Sequence, residues 1–221
     1  MKNDKLVFYL LLLAPFFAFP QVKNKIFKHR SAFELNETAI MLFQNFSYNQ
    51  DSIKKSIGLL DEAISTDSAF FTAHINKVSM LCALGQNNEI LKELDEAIKI
   101  YRRDPQLICM QAYILEKAGQ PDIAMLKYRE ADTLYDNLIK SNQNFVYNKI
   151  GKAFLQLFLK SKKEGLRQFN EIARLYKEEK DVLLMKHAFY SFNKDEFIKN
   201  YCIPPQPLQA GPEISMYQIK K

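Results

Sequence analysis

The sequence predicts an all-α protein, an α-solenoid in which antiparallel helix pairs stack side by side. The string LDEAI occupies residues 60–64 and again residues 94–98, a displacement of 34 residues. Gly85 and Gly119 are separated by the same 34 residues, although the chain of 221 residues has only 6 glycines. A fixed period of this length is the signature of a repeat array, in which each unit packs on the next.

Apolar side chains recur in steps of three and four within the second helix of each predicted unit, which places them on one helix face. The three sets are Ile53, Ile57, Leu60 and Ile64; Ile90, Leu94, Ala97 and Tyr101; and Ala124, Tyr128, Ala131 and Tyr135. Three alanines, Ala63, Ala97 and Ala131, recur at the 34-residue period. We expect these small residues where a neighbouring helix approaches closely.

The helix ends are also marked in the sequence. We expect Gly85 and Gly119 to end first helices, because a left-handed position after a helix favours glycine. Asp104 followed by Pro105 is typical of a helix start, with Asp as the cap and Pro at the first helical position. Pro121 opens the second helix of the same unit in the same way.

On these residues the chain resembles the tetratricopeptide repeat (TPR) family, which is built from 34-residue antiparallel helix pairs. The resemblance covers three units, at residues 37–70, 71–104 and 105–140. A degenerate fourth unit is predicted at residues 141–179, where Gly165, Phe169 and Ile172 resemble the second helix of the family. The 34-residue frame slips by about two residues near 160–164.

The resemblance implies protein binding in a concave groove that the first helices line. In this chain's register, the partner-binding residues are Met41, Asn45, Tyr48, Thr72, Ile75, Ser79, Gln106, Cys109, Tyr113 and Glu116. The carboxylate clamp of chaperone-binding members uses Lys and Asn where this chain has, for example, Ile75 and Ser79, so that activity is not expected. Alternatively, some groove side chains pack against the next helix or are covered by the C-terminal tail. Self-association and binding through other surfaces are further alternatives.

Beyond the repeats, residues 180–203 predict two helices that cap the stack, the second beginning at a capping-box pair, Asn193 and Glu196. Residues 204–221 form a Pro-rich tail, for which we consider both disorder and an extended segment laid against the stack.

The N-terminal residues 1–20 have the pattern of a secretory signal peptide. Two lysines precede an unbroken apolar run at residues 6–19, and 14 helical residues span about 21 Å, less than a bilayer core. An uncleaved membrane anchor and a buried N-terminal helix are the alternatives. Residues 21–36 are predicted as a basic linker and helix entry. We therefore expect an exported protein, periplasmic or associated with the cell envelope.

Charge and cysteine content argue against several other classes. The net charge is +6, yet residues 31–140 hold 11 basic and 16 acidic residues, and no basic cluster with stacking aromatics indicates a nucleic-acid partner. Three cysteines are too few, and odd in number, for a disulfide framework, and none forms a C-x-x-C pair. We expect no metal site and no cofactor.

No nucleotide-binding or hydrolase motif is present, and the adjacent carboxylates of Asp61–Glu62 and Asp95–Glu96 diverge by about 100° on a helix. Such pairs do not form an acid–base couple, so the chain is not predicted to be an enzyme. The predicted function is a non-catalytic protein–protein interaction scaffold or adaptor. The alternative is a small-ligand or glycan-binding accessory protein on the same scaffold, which requires a closed pocket with clustered aromatics.

Overall fold

The computed structural model describes residues 29–47, 49–101, 104–142 and 145–202, with the side chains of residues 29 and 30 left aside. Ten α-helices follow one another within this part of the chain. They are α1 His29–Phe46, α2 Gln50–Thr66, α3 Phe71–Ala83, α4 Asn87–Ile100, α5 Pro105–Lys117, α6 Pro121–Lys140, α7 Phe145–Leu159, α8 Lys162–Leu175, α9 Lys180–Ser191 and α10 Lys194–Asn200.

Consecutive helices pack against each other along the chain, so that α1 to α8 form four antiparallel pairs. α1 also contacts α3, and α7 also contacts α9. The predicted all-α solenoid of TPR-like helix pairs is therefore confirmed. None of the described helices combines the length and the apolar character needed to span a membrane.

The second helices supply the residues that join neighbouring pairs. Leu60, Leu94 and Tyr128 are essentially inaccessible to solvent. One turn further along, the alanines at 63, 97 and 131 are 0%, 1% and 0% exposed. A small side chain at these positions lets the next helix pack closely, and the larger neighbours fill the remaining space.

Two glycines end first helices in the left-handed conformation. Gly85 follows α3 with φ +68°, and Gly119 follows α5 with φ +76°. The next amide closes each turn, since Gln86 N donates to Leu81 O at 3.1 Å and Gln120 N to Leu115 O at 2.9 Å. This pattern is the Schellman motif, in which a positive φ costs glycine nothing.

The first helix begins at His29, inside the segment 21–36 that was predicted as a basic linker and helix entry. Its buried residues Ala32, Asn36 and Ala39 are spaced by four and three. This spacing continues the inward face of the helix upstream of residue 37, which explains the early start. The predicted segments 1–20 and 204–221 lie outside the described residues.

The last two helices have different positions. α9 packs on α8 and α7 at the end of the stack, as a capping helix does. α10 instead turns back onto α5. Asn193 caps α10, its side chain accepting a hydrogen bond from Glu196 N at 3.0 Å. The stack is thus covered at its end by one helix and along one side by the other.

Candidate functional site

The groove is the face of the stack formed by the first helices α1, α3, α5 and α7. The C-terminal helix α10 lies on this face against α5. The residues that follow α10 reach α3, where Cys202 meets Cys82. The groove therefore already holds a segment of its own chain along part of its length.

Tyr113 of α5 is the centre of an aromatic cluster that joins α5, α7 and α10. Its ring centroid is 5.0 Å from that of Phe197, 5.1 Å from that of Tyr201 and 4.8 Å from that of Phe158. Tyr113, Phe197 and Tyr201 are 8%, 5% and 5% exposed. Burying a side chain of this size contributes about 1.5–3 kcal/mol. Burial also raises the pKa of Tyr113 and Tyr201, so both phenols are neutral.

Two neighbouring residues at the end of α5 hold both ends of α10. Glu116 Oε1 pairs with Lys194 Nζ at 2.7 Å, at the start of α10. Lys117 Nζ donates to the main-chain carbonyl oxygens of Tyr201 and, at 3.1 Å, of Cys202. A cation at the carboxyl end of a helix is favoured by the helix dipole. These polar contacts fix the orientation of α10 on the groove.

A disulfide bond joins Cys82 of α3 to Cys202, 120 residues further along the chain. The expectation that the cysteines form no disulfide framework is thus wrong for this pair, while Cys109 is free and buried. Counting cysteines could not show this, because the fold-back of α10 alone brings these two together. Their Cα atoms are 4.6 Å apart, within the range of disulfides.

The ten predicted groove residues fall into groups by their exposure. The exposed group is Met41, Asn45 and Thr72. The half-buried group is Ser79, Gln106 and Glu116. The buried group is Ile75, Cys109 and Tyr113. Tyr48 lies outside the described residues.

The position of α10 accounts for the cover over part of the groove. Tyr113 and Glu116 contact α10 directly, and Cys82, at the same register one unit earlier, binds Cys202. The groove is consequently covered in its C-terminal half and open in its N-terminal half, around Met41 and Thr72.

Sequence reasoning placed two helices after the repeats but did not place α10 on the groove. A signal for it exists in the sequence of α5, where residues 107–115 are apolar apart from Gln111. A helix that is apolar on every side requires a cover on every side. Together with Phe197 on α10 and Tyr201 directly after it, this pattern indicates the contact.

The repeated aspartates form polar bridges between successive units. Lys77 Nζ binds Asp61 Oδ1 at 2.7 Å, linking α3 to α2. The equivalent residue of the next unit, Gln111, donates from Nε2 to Asp95 Oδ1 at 2.5 Å. Further along, Gln156 Nε2 donates to Asp132 Oδ1 at 2.8 Å. Asp61 and Asp95 thus contribute to the stacking of the repeats.

A buried ionic cluster lies between the first two units. His74 Nδ1 is 2.5 Å from Glu93 Oε1, and His74 Nε2 is 3.1 Å from Ser68 O. Because both partners are acceptors, both ring nitrogens must donate, which requires the imidazolium form. Lys77 Nζ adds a contact to Glu93 Oε2 at 2.5 Å. The Glu93 carboxylate therefore pairs with two cationic side chains of α3, those of His74 and Lys77.

The pKa values of this cluster shift accordingly. For His74, burial opposes the charge, but the hydrogen bonds to Glu93 and to Ser68 O, with the attraction of Glu93, outweigh it and raise the pKa above 6.5. For Glu93, burial also opposes the charge, but the bonds from His74 and Lys77 outweigh it and lower the pKa below 4.5. Both shifts favour the charged forms that the hydrogen bonds of the cluster require.

An open cavity of about 590 Å³ lies between α1 and α2, away from α10. Its lining is mostly hydroxyl and carboxylate side chains: Ser31, Glu34, Leu35, Thr38, Glu62, Ser65 and Thr66. Within the described ranges, no group of three or more His, Cys, Asp or Glu residues is arranged to hold a metal ion.

Comparison with known proteins gives a match to a family model and matches to solved structures. A family model described as Anaphase-promoting complex subunit 5 matches residues 27–116 and 125–199. Among solved structures, the chain is similar to YrrB, described as "a TPR protein with an unusual peptide-binding site", with 15% sequence identity and a TM-score of 0.40. That alignment covers 77% of this chain and 84% of YrrB. No curated protein sequence matches significantly.

Proposed function

The chain belongs to the anaphase-promoting complex subunit 5 family, and from this premise we propose that it is a non-catalytic adaptor that holds a segment of a partner protein in its groove. The family is named after a subunit of a complex, and the TPR-like fold is that of a protein-interaction scaffold. Both support an assembling role for this chain.

The observation that carries the proposal is the occupancy of the groove by α10. The groove accepts a short helix through aromatic contacts at Tyr113 and polar contacts at Glu116 and Lys117. Helix-in-groove binding uses this combination of buried anchors and flanking polar bonds. A surface that binds one helix in this way has the chemistry to bind another.

The open half of the groove is the surface we propose for first contact with a partner. Met41 is 56% exposed, and Asn45 and Thr72 are exposed as well. Met41 precedes Ile75 by one 34-residue period and Cys109 by two, so it occupies the equivalent position on the same face. Methionine adapts readily to the shape of a bound apolar side chain.

We also propose that the protein is exported and acts in the periplasm or at the cell envelope, with an uncleaved membrane anchor as the alternative. The support is the signal-peptide pattern of residues 1–20, together with the disulfide between Cys82 and Cys202. Disulfides form and persist in oxidising compartments and are rare in the cytosol. N-terminal sequencing of the mature chain tests this location.

The alternative of a small-ligand or glycan-binding accessory has less support. Its requirement was a closed pocket with clustered aromatics. Tyr113, Phe158 and Phe197 do cluster, but their rings pack on one another at 4.8 to 5.2 Å. The cavity between α1 and α2 is open, and its lining contains no aromatic ring.

Site-specific photocrosslinking tests the adaptor proposal. A photoreactive phenylalanine analogue replaces Met41 in the groove, and a matched probe replaces Leu126, which is 63% exposed on α6. We expect a defined partner adduct from position 41 and none from position 126. Adducts of equal yield at both positions, or none at position 41, would contradict the proposal.

A second substitution distinguishes groove binding from chance proximity. Thr72→Arg places a bulky charge in the open half, whereas Lys92→Arg changes an exposed residue of α4. The adduct at position 41 should disappear with Thr72→Arg and persist with Lys92→Arg.

A further inference from the structure

The C-terminal segment 193–202 occupies the groove in the manner of a bound peptide. α10 has only 7 residues, and its two aromatic anchors, Phe197 and Tyr201, both contact Tyr113. We propose that this segment is a resident competitor for the groove, and that reduction of the Cys82–Cys202 disulfide lets a partner helix of the same chemistry displace it. This inference rests on the proposed function, since it concerns the same groove.

The fit of the resident segment is incomplete. Tyr201 is 5% exposed, yet its hydroxyl is buried without a hydrogen-bond partner among the described residues. A buried hydroxyl that makes no hydrogen bond opposes the binding of the group that carries it. In addition, a helix of one to two turns is marginal in water by itself. The segment is therefore held by the groove and by its tethers more than by its own stability.

The disulfide decides whether the segment can leave. The Phe192 end connects the segment to α9, and the sulfur of Cys202 ties its other end to α3. With both ends tethered, the segment stays at the groove at a high effective concentration, so a free partner competes poorly. With the bond reduced, only the Phe192 end remains tethered, and the segment can swing away.

Cys202 is the more exposed of the two cysteines, since it is half-buried whereas Cys82 is 6% exposed; we take its sulfur as the point of attack. A dithiol reductant attacks the Cys202 sulfur as a thiolate, the bond between the two cysteines breaks, and Cys82 leaves as a thiolate that takes up a proton. The second thiol of the reductant then attacks the mixed disulfide and releases Cys202 as a thiol. Two electrons and two protons pass to the protein, and the dithiol becomes a disulfide.

The contacts of α10 define the partner. It is a short amphipathic helix with one aromatic residue in its last turns and a second four positions later, directly after the helix, matching Phe197 and Tyr201. A basic side chain one turn before the first aromatic would pair with Glu116, as Lys194 does. Free carbonyl groups at the helix end would accept from Lys117. Because the Tyr201 hydroxyl is unsatisfied, phenylalanine at the second aromatic position should bind more tightly.

The probe for the test is a fluorescein-labelled peptide with the sequence of residues 193–201, which contains no cysteine. Its binding to the full chain is measured by fluorescence anisotropy before and after reduction with dithiothreitol. We expect the apparent Kd to fall at least about ten-fold on reduction, because apparent affinity scales with the fraction of open grooves. A peptide carrying Tyr201→Phe should bind more tightly than the natural sequence.

Variants separate the effect of reducing the Cys82–Cys202 disulfide from general effects of the reductant. The double variant Cys82→Ser/Cys202→Ser should bind the peptide equally well with and without dithiothreitol. Cys109→Ala retains the disulfide and should keep the full redox difference. Adding Tyr113→Ala to the double variant should abolish peptide binding.

Hydrogen–deuterium exchange on the unmodified chain avoids dependence on variants that fold poorly. Amides of residues 194–201 should exchange faster after reduction, while those of α8 should not change. Equal peptide affinity and equal exchange in both redox states would overturn the proposal.

The outcome is distinguishable from that of the adaptor proposal. A peptide affinity that does not depend on reduction, with a persistent adduct at position 41, contradicts the displacement of segment 193–202 on reduction but not the adaptor proposal. A peptide affinity that depends on reduction, without any adduct at position 41, contradicts the adaptor proposal but not the displacement of the segment.

Discussion

Tyr113 and Phe197 meet edge to face where the last helix lies on the fifth, with 5.0 Å between their ring centroids and 73° between their planes. This contact makes the C-terminal segment part of the hydrophobic core. It also means that half of the groove is an internal surface until the segment leaves.

Tyr113→Ala should destabilise the fold by about 3–5 kcal/mol, because it removes a buried ring from the contacts between α5, α7 and α10. The measurement is the free energy of unfolding in urea. Tyr190→Ala is the matched control, since Tyr190 is 51% exposed and loses one hydrogen bond to Asn170; we expect a loss of at most about 1 kcal/mol. Similar losses for both variants would contradict the central position of Tyr113.

The His74–Glu93 cluster predicts a pH dependence of stability. The pKa of His74 is raised in the folded chain from 6.5, so its stabilising contribution is complete below that pH and is lost as the pH rises through the folded pKa. The pKa of Glu93 is lowered from 4.5, so its contribution is present above that pH and is lost on acidification.

Comparison of histidine variants isolates this effect from other titrating groups. For Lys77, the neighbouring cation, burial lowers the pKa, but the bonds to Asp61 and Glu93 outweigh burial and raise the pKa above 10.5. Lys77 therefore stays charged over the pH range in which His74 titrates. The free energy of unfolding in urea should fall as the pH rises through the folded pKa of His74, and His74→Gln should remove much of this fall. His187→Gln, at an exposed histidine, should leave that fall unchanged. An unchanged pH profile for His74→Gln would refute the imidazolium assignment.

Two glycine substitutions should have opposite effects. Gly119→Ala places a side chain at φ +76° and should cost about 1–2 kcal/mol. Gly58 lies within α2, and a Cβ there meets no atom within 4 Å, so Gly58→Ala should stabilise by about 0.5–1 kcal/mol. Thermal unfolding followed by circular dichroism gives both changes in stability. If the two variants changed the stability in the same direction, the positive φ of Gly119 would not explain the effect of Gly119→Ala.

Gly165→Ala should disturb the packing of α8 on α7. An added Cβ would collide with Leu157 Cδ2 and lie 3.0 Å from Ala153 O, and we expect a cost of about 1–3 kcal/mol. Leu157→Ala opens space at the same point, so the double variant should lose less free energy of unfolding than the sum of the single variants. Strict additivity would mean that the two side chains do not compete for space.

The cysteine pairing can be read by alkylation. Unfolded without reductant, the chain should take up one iodoacetamide, at the free Cys109. After reduction, all three cysteines should react. Peptide mapping that placed the single adduct at Cys82 or Cys202 would contradict the pairing.

The sequence was sufficient for the helix pairs because their determinants are local or periodic. Leu60 and Leu94 recur at the repeat period and lie at equivalent buried positions. Gly85 and Gly119 are required by the backbone conformation at the ends of α3 and α5, which depends on a few neighbouring residues. The family resemblance and the fold class are confirmed for this reason.

The position of α10 could not be predicted in the same way, because it depends on contacts between distant residues. Nothing local to Phe197 specifies Tyr113 as its neighbour, and nothing local to Cys202 specifies Cys82. The predicted groove register still identified the surface that α10 meets. It did not indicate that Tyr113 would be covered by Phe197 and Tyr201, since that contact joins residues far apart in the chain.

The disulfide also has a consequence for the synthesis of the chain. Cys202 is added 120 residues after Cys82, which at typical rates of about 5–20 residues per second takes about 6–24 s. During that interval Cys82 has no permanent partner, and Cys109 is the nearest other thiol along the chain. Rapid formation of the α3–α6 pairs, which buries Cys109, would protect the nascent chain from joining the wrong two cysteines.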